Sequence, residues 1–276
     1  SLPLNKEIFE VVPQEFIIDG VGGVKEIRGL QGRRLEAEVL VLGGFTPYLK
    51  NHTQAILSSD FQILDRIPSP IAAAGACLTE KQKELGAAIV DIGAGTSGLA
   101  VFKEGDLIHL AILPMGSANI TEDIAIGFKT EMDLAERIKL EYGSCQIEKR
   151  QKLEKIKVEG EELLVFSQKQ LMGIIVPRVS EIFGEISRHL KSISKEKSLP
   201  GGIVLTGGGA KLPKIAEMAK KELKLPVRIG KPRGVLNLDD PIWSVSWGLI
   251  LNSLNSEGGE NTMADSLGGI GGKIKK

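Results

Sequence analysis

The first third of the chain alternates between short apolar runs and helical patterns. Turn-forming glycines separate three runs that predict strands, at residues 8–12, 16–18 and 36–42. A helical spacing of apolar residues follows at 47–57, and residues 61–64 predict another strand. The alanine-rich stretch 71–78 follows Pro70 and predicts a short helix. Strands that alternate with helices indicate an α/β unit.

A second α/β pattern begins near Gly86. Residues 87–92 are continuously apolar and predict a buried strand, and a predicted hairpin follows, with strands at 99–102 and 107–113 around a turn at 103–106. Apolar residues then recur at every fourth position, as on one face of a helix: Ile120, Ile124 and Phe128. Thr130 and Asp133 fit a capping box for a second helix, which we expect to end near Gly143.

The last part of the chain contains a more polar segment, residues 146–200, which interrupts core-like sequence and is predicted to be an inserted subdomain. It contains two predicted strands, 156–158 and 163–166, and a long helical pattern from 168 to about 190, with Pro177 as an interruption. Core-like elements then resume: a strand at 203–206, a helix at 213–223, a strand at 227–229, and a helix from Pro241 with Asp240 as its N-cap.

Composition narrows the class of protein. Lys plus Arg and Asp plus Glu both number 35, so the net charge is zero and no overall field recruits nucleic acid. The two cysteines, Cys77 and Cys145, form no CxxC motif, which argues against a disulfide scaffold or a zinc site. No apolar run approaches the roughly 20 residues that cross a bilayer, and no signal peptide is visible. These features predict a reduced, cytosolic protein.

Two glycine-rich turns are candidate phosphate sites. Between two apolar strands, Gly93, Ala94 and Gly95 let a phosphate approach backbone N–H groups, and Asp91 and Thr96 provide oxygens for Mg²⁺-bound water and for a phosphate. The alternative is a tight hairpin that Asp91 caps. Residues 207–209 are three glycines at a predicted strand-to-helix junction, which favours a ligand lying against the backbone at a helix N-terminus over a plain turn.

Other polar and aromatic residues carry weaker signals. Glu136 and Lys139 share one face of a predicted helix and could contact a ribose and border a base, but their spacing taken alone favours a solvated surface ion pair. Trp243 and Trp247 lie one helical turn apart, which is typical of core packing. The three histidines, His52, His109 and His189, form no metal-like or triad-like grouping in the sequence, so they are assigned no role.

The order of these motifs resembles the actin, Hsp70 and sugar-kinase superfamily. DIGAGT at 91–96 resembles its second phosphate loop, LTGGGAKLP at 205–213 its adenosine motif, and PIAAA at 70–74 its first hinge helix. Within the superfamily, the chain is most similar to the bacterial cell-division FtsA family. Four segments carry that similarity: VPQEFIIDG at 12–20, GRRLEAE at 32–38, ITEDIA at 120–125 and AERIK at 135–139.

The resemblance implies an α/β actin-like (ribonuclease H-like) fold with two lobes. Residues 1–43 would belong to a small inserted β-rich subdomain, and 44–85 to the rest of an incomplete first lobe. Residues 86–145 and 201–255 would form the second lobe, 146–200 its inserted subdomain, and 256–276 a flexible tail. ATP and Mg²⁺ are the implied cofactors, with Asp91 holding Mg²⁺ through water. The implied nucleotide-binding residues are Asp91, Gly93, Ala94, Gly95, Thr96, Gly116, Glu136, Lys139, Gly207, Gly208 and Gly209.

The same resemblance implies a polymerising adaptor that tethers FtsZ filaments to the cytoplasmic face of the inner membrane at the division site. The FtsZ C-terminal peptide would dock on residues 146–200, ATP would turn over slowly or not at all, and no nucleic acid is expected. The chain starts at Ser1, after the expected first phosphate loop, so weak or no ATP binding is predicted. It ends in GGKIKK, with little of the family's membrane helix. A PilM-type pilus-assembly protein and a sugar or acetate kinase remain alternatives.

Overall fold

The computed structural model describes residues 5–146, 153–157, 163–193 and 199–257. Its first part is an antiparallel sheet with the strand order β2-β1-β3, built from β1 (Lys6–Ile18), β2 (Val21–Val24) and β3 (Leu35–Phe45). The sequence predicts two strands where β1 is continuous, and this prediction is wrong. The pairing of β1 with β3 shifts register between Pro13 and Glu15, which lets the strand continue past a residue that cannot donate a backbone hydrogen bond.

Three helices connect this sheet to the next: α1 (Thr46–Leu57), α2 (Ser69–Cys77) and α3 (Glu80–Leu85). The predicted strand at 61–64 is absent, because Phe61 and Leu64 are 69% and 87% exposed and residues 61–68 pair with no strand of the described chain. Helix α2 agrees with the prediction and is almost wholly buried.

The second sheet has five strands in the order β10-β9-β4-β5-β6. Three of them run parallel to one another, β4 (Ala87–Ile92), β9 (Ile203–Thr206) and β10 (Val227–Ile229). The other two continue the sheet as antiparallel neighbours, β5 (Ser97–Lys103) and β6 (Asp106–Leu113). The strands and the hairpin predicted in this half are confirmed. Strands β4, β5 and β9 are buried on both sides, whereas β6 and β10, at the two ends of the strand order, are mostly partly buried.

Helices cover the second sheet: α4 (Ser117–Phe128), α5 (Met132–Tyr142), α6 (Gln168–Ile193), α7 (Ile215–Leu223) and α8 (Ser244–Glu257). A hairpin of β7 (Leu153–Lys157) and β8 (Leu163–Ser167) precedes α6, which continues through Pro177. The capping box predicted for α5 does not form, since Glu131 is its N-cap and makes no side-chain cap. The predicted tail overlaps the end of α8, and residues 258–276 lie outside the described ranges.

The second sheet separates two hydrophobic clusters. Val90 and Ile92 of β4 face the first cluster, together with side chains of α4, α5, α6 and α7. Ala87 and Ile89 face the second, which contains α2 and reaches Val12 of β1. Helix α6 therefore packs in the same cluster as the sheet. Within the described residues, no helix combines the length and hydrophobicity that crossing a membrane requires.

Candidate functional site

The two glycine-rich turns lie side by side at the carboxyl ends of β4 and β9, two neighbouring strands in the interior of the second sheet. Strands β4 and β9 are parallel neighbours, and Asp91 pairs in register with Thr206, so both strands end at the same level. A Cβ on Gly207 would lie 2.5 Å from Asp91 Oδ1 and 2.6 Å from the carbonyl oxygen of Ile92. The φ of Gly207 is +83°, a conformation that favours glycine. The carboxyl ends of parallel strands are a common position for ligand sites.

The β4–β5 turn exposes its tip. The Gly93 N–H donates to the Thr96 carbonyl at 2.9 Å and closes the turn, while Ala94, Gly95 and Thr96 are exposed. A Cβ added at Gly95 would have no neighbouring atom within 4 Å. The tip therefore leaves room for a ligand to reach the backbone, as the sequence predicts.

The N-terminus of helix α4 forms hydrogen bonds with this turn. Its first two N–H groups, at Ser117 and Ala118, donate to the carbonyl oxygens of Gly93 and Ala94, each at 2.9 Å. Gly116 makes this contact possible, because a Cβ there would lie 2.3 Å from the Ala94 oxygen. Gly116 thus allows the backbone of α4 to pack closely against the turn. The first N–H groups of α4 donate their hydrogen bonds to the turn.

Lys139 and Glu136 of α5 form a partly buried polar cluster against α4. The Lys139 ammonium donates to Glu136 Oε2 at 2.6 Å, to the Thr121 hydroxyl at 2.8 Å and to the Ser117 carbonyl at 3.1 Å. Its side chain is 8% exposed and Glu136 is 43% exposed, so the simple surface ion pair is ruled out. An ammonium has three donors, and all three are engaged. In this arrangement Lys139 positions α4, while part of the Glu136 side chain remains exposed to solvent.

The pKa values follow these contacts. Burial raises the pKa of Asp91, and a hydrogen bond with Ser69, the first residue of α2, partly offsets that rise. For Glu136, burial acts to raise the pKa, but hydrogen bonds from Lys139 and Thr121 and the Lys139 charge outweigh it and lower the value. A half-buried carboxylate beside a glycine-lined turn is a suitable group to hold a hydrated cation. Ser69 lies outside the motifs, and Thr121 lies in the 120–125 segment that carries the family resemblance, but sequence reasoning assigned neither residue a role in the site.

Contrary to the prediction from the sequence, the glycine segment after β9 does not lead directly into an α-helix. Gly208–Lys211 form a 3-10 turn and α7 begins only at Ile215, so no α-helix starts directly behind the glycines. Gly208 is exposed, and its closest outside neighbour is the Ile242 side chain, 3.9 Å from an added Cβ. Helix α5 reaches this segment too, because a Cβ on Gly143 would lie 3.1 Å from the Leu212 side chain. Residues 207–212 thus lie next to the end of β4 and contact the C-terminal end of α5.

Helix α8 approaches this segment from the other side. Asp240 accepts a hydrogen bond from the Ile242 N–H, as predicted for an N-cap, but the first turn, Pro241–Trp243, is a 3-10 turn. Trp243 is 47% exposed, so the prediction that it packs in the core is wrong. Trp247 packs at the edge of the second cluster and donates its indole N–H to the Arg233 carbonyl at 2.9 Å.

Comparison with known proteins identifies relatives in sequence. The family profile described as "Cell division protein FtsA" matches residues 88–248, and "SHS2 domain inserted in FTSA" matches residues 1–42. The chain is 33% identical to the cell division protein FtsA of Pseudomonas aeruginosa, over 96% of the chain and 66% of the relative. It is 34% identical to that of Bacillus subtilis, over 91% and 57%. The chain therefore spans about three-fifths of the length of these relatives.

Comparison with solved structures identifies the fold. A PilM–PilN type IV pilus biogenesis complex matches with a TM-score of 0.65 and 18% identity, over 91% of this chain and 67% of that one. MreB5 of Spiroplasma citri bound to ADP matches with a TM-score of 0.63 and 19% identity, over 77% and 67%. At such identities the likeness shows fold alone. The predicted actin-like α/β fold is confirmed.

Proposed function

The chain belongs to the FtsA family of cell-division proteins, and on this premise we propose that it binds ATP with Mg²⁺ beside the 93–96 turn. The contact between Gly207 and Asp91 supports this proposal most directly, because it joins the two predicted ligand-binding turns at the carboxyl ends of neighbouring strands. Both turns leave the backbone at their tips accessible, because Gly95 and Gly208 are exposed.

Each residue of the proposed nucleotide site has a distinct task. Backbone N–H groups of the exposed tip, Ala94 and Gly95, and the Thr96 hydroxyl face the phosphates. Asp91 holds a water of the Mg²⁺ shell, which neutralises phosphate charge when the ion is bound. Gly208 lets the nucleotide lie against an exposed backbone, while Gly207 and Gly209 allow this segment to pack closely against Asp91 and Ile92. Glu136 accepts from a ribose hydroxyl, while Gly116 and Lys139 position the turn and α4.

We assign ATP a structural role, with slow or no hydrolysis. Glu136 is held by Lys139 and Thr121, and Asp91 is committed to the cation, so neither carboxylate is placed to activate a water. This distinguishes the proposal from a sugar or acetate kinase, which needs a free carboxylate base. A coupled assay for ADP release against sugars and short-chain acids separates the two, since an adaptor gives no substrate-dependent release.

The proposed cellular role is that of an adaptor. It self-associates, binds the C-terminal peptide of FtsZ, and works on the cytoplasmic face of the inner membrane at the division site. Family membership supports this role, and both sequence profiles favour it over a PilM-type pilus function. We propose that the peptide docks in residues 146–200, where Leu153 and Val165 of the β7–β8 hairpin are 64% and 48% exposed.

Two binding measurements test these proposals separately. Equilibrium dialysis with radiolabelled ATP, carried to millimolar concentration with and without Mg²⁺, compares the wild type with Asp91→Ala and with the exposed control Asp133→Ala. Of the weak or absent binding that the sequence predicts, the proposed site requires the weak case: we expect Mg²⁺-dependent binding at millimolar and not micromolar ATP, which Asp91→Ala weakens and Asp133→Ala preserves. Equal binding by all three proteins, or none, contradicts the nucleotide site. Fluorescence anisotropy with an FtsZ C-terminal peptide tests the docking, which Val165→Glu should weaken and Val39→Glu should not.

A further inference from the structure

Two histidines, assigned no role from the sequence, meet where strand β6 contacts helix α6. His109 Nε2 lies 3.1 Å from His189 Nδ1, and the ring centroids are 5.2 Å apart with the planes inclined at 45°. The residues are 80 positions apart in the chain, so no sequence spacing reveals the pair. Both side chains are partly buried.

The pair shares one proton when both rings are neutral. One ring nitrogen then donates to the other, which must accept with its lone pair. Burial lowers the pKa of His109, and the neighbouring His189 lowers it further. The neutral imidazole, with a free lone pair, is the form that binds metal ions.

We propose that His109 and His189 form a two-nitrogen binding site for a divalent transition-metal ion of the Zn²⁺, Ni²⁺ or Cu²⁺ class. Neutral imidazole is a preferred ligand for these ions, whereas Mg²⁺ prefers oxygen, so this site is chemically distinct from the proposed nucleotide site. Within the described ranges, no third His, Cys, Asp or Glu completes a cluster with the pair. Water fills the remaining coordination positions.

The spacing of the two nitrogens fits this ligand class. Two imidazoles that bind one tetrahedral Zn²⁺ at about 2.0–2.1 Å hold their nitrogens roughly 3.3 Å apart. The observed 3.1 Å between His109 Nε2 and His189 Nδ1 is close to that value. The ion takes the place of the hydrogen bond between the rings: the ring that donated this bond carries its N–H on its other nitrogen instead, so both ligands stay neutral and no net proton is released.

A bound ion would cross-link an edge strand to a long helix. Strand β6 is the last strand of the five-stranded sheet, and α6 packs in the first hydrophobic cluster. Because the ion binds the folded arrangement and not the separated histidines, it stabilises the folded protein in proportion to the logarithm of its concentration above Kd.

Thermal unfolding with ZnCl₂ tests the site. We expect Zn²⁺ to raise the Tm of the wild type at neutral pH. His109→Asn and His189→Asn should each remove this rise and weaken Zn²⁺ binding in calorimetry by about 100-fold or more, since even outer contacts to metal ligands cost about 10–100-fold. His52→Asn changes an exposed histidine of α1 and serves as the matched control, which should respond like the wild type.

A spectroscopic measurement on the unaltered protein keeps the test decisive if a variant folds poorly. Electron paramagnetic resonance of the chain with one equivalent of CuCl₂ should show splitting from two histidine nitrogens. Absence of metal binding up to millimolar Zn²⁺, a spectrum with fewer than two nitrogens, or loss of the Tm rise only in His52→Asn would each overturn the proposal.

Discussion

Gly207 and Asp91 are in contact across two neighbouring parallel strands: a methyl group on Gly207 would lie 2.5 Å from the Asp91 carboxylate oxygen. The contact explains why two glycine-rich turns, more than a hundred residues apart in sequence, depend on each other in the fold. Their strands end in register at the Asp91–Thr206 pair, so the geometry of the sheet brings the turns together before any ligand contributes.

Gly207→Ala should therefore destabilise the protein. The added methyl meets both Asp91 and the Ile92 carbonyl, and a φ of +83° is unfavourable for alanine, so we expect a loss of about 2–4 kcal/mol in the free energy of unfolding. Gly208→Ala is the matched control, since its added methyl would touch only the Ile242 side chain at 3.9 Å. It should change stability by less than about 0.5 kcal/mol in urea denaturation. Equal losses in both variants would contradict the packing described here.

Asp91→Asn should stabilise the protein at neutral pH while weakening Mg²⁺-dependent ATP binding. Burial raises the pKa of Asp91 in the folded state, so the folded protein binds this proton more tightly than the unfolded chain. Stability from this group is greatest when it is protonated, and it falls as pH rises from the unfolded value of about 3.9 through the raised folded value. Asparagine removes that loss and keeps a hydrogen-bonding group beside Ser69.

The check is a pair of urea denaturation series from pH 3 to pH 8, for the wild type and Asp91→Asn. The difference in unfolding free energy should favour the variant at neutral pH and shrink toward acidic pH. A difference that is constant across the series would show that burial of the charge is not its cause.

Lys139→Met should lower stability by about 1–3 kcal/mol. It removes the donor that serves Glu136, Thr121 and the Ser117 carbonyl, and it leaves part of this cluster unpaired in a mostly buried position. Arg137→Met is the control on the same helix, because its pair with Glu141 is exposed and 4.0 Å long. That change should cost less than about 0.5 kcal/mol. Similar losses in chemical denaturation would refute the supporting role of Lys139.

Gly248→Ala should be among the most damaging single-methyl substitutions in the chain. Its added Cβ would lie 1.8 Å from the Ala72 carbonyl oxygen, where α8 crosses α2, so the helices must move apart at a cost of about 3 kcal/mol. Gly75→Ala lies on the exposed side of α2 and meets no atom within 4 Å. It should raise stability by about 0.5–1 kcal/mol through helix propensity. Calorimetric Tm values of the two variants should therefore shift in opposite directions.

The sequence predicted the second sheet well because the elements there carry strong local signals. Strand β4 is a continuous apolar run that ends in a glycine turn, and the structure has both features as predicted, with the strand almost fully buried. The first sheet was predicted less well: separate strands were expected at 8–12 and 16–18, but pairing with β3 and a register shift keep β1 continuous. The segment 61–64 has the composition of a strand but pairs with no strand in the part of the chain that the structure describes, and only tertiary structure decides such pairing.

In the candidate site, too, the features with a local sequence signal were predicted, and those that depend on tertiary packing were not. Its glycine turns were recognised from the sequence because close backbone approach requires glycine locally, as at Gly207. Ser69, Thr121 and the buried position of Lys139 depend on how α2, α4 and α5 pack, and no spacing encodes that packing. The same is true of the His109–His189 contact, which joins elements that are distant in the chain.

The most direct test of the nucleotide cleft follows backbone amide signals by ¹H–¹⁵N NMR during a titration with Mg²⁺-ATP to millimolar concentration. If one ligand bridges the two glycine turns, the amides of residues 93–96 and 207–209 shift together and fit a single Kd. Shifts confined to one turn, two different Kd values, or no shift in either turn would contradict a shared cleft between Asp91 and Gly207.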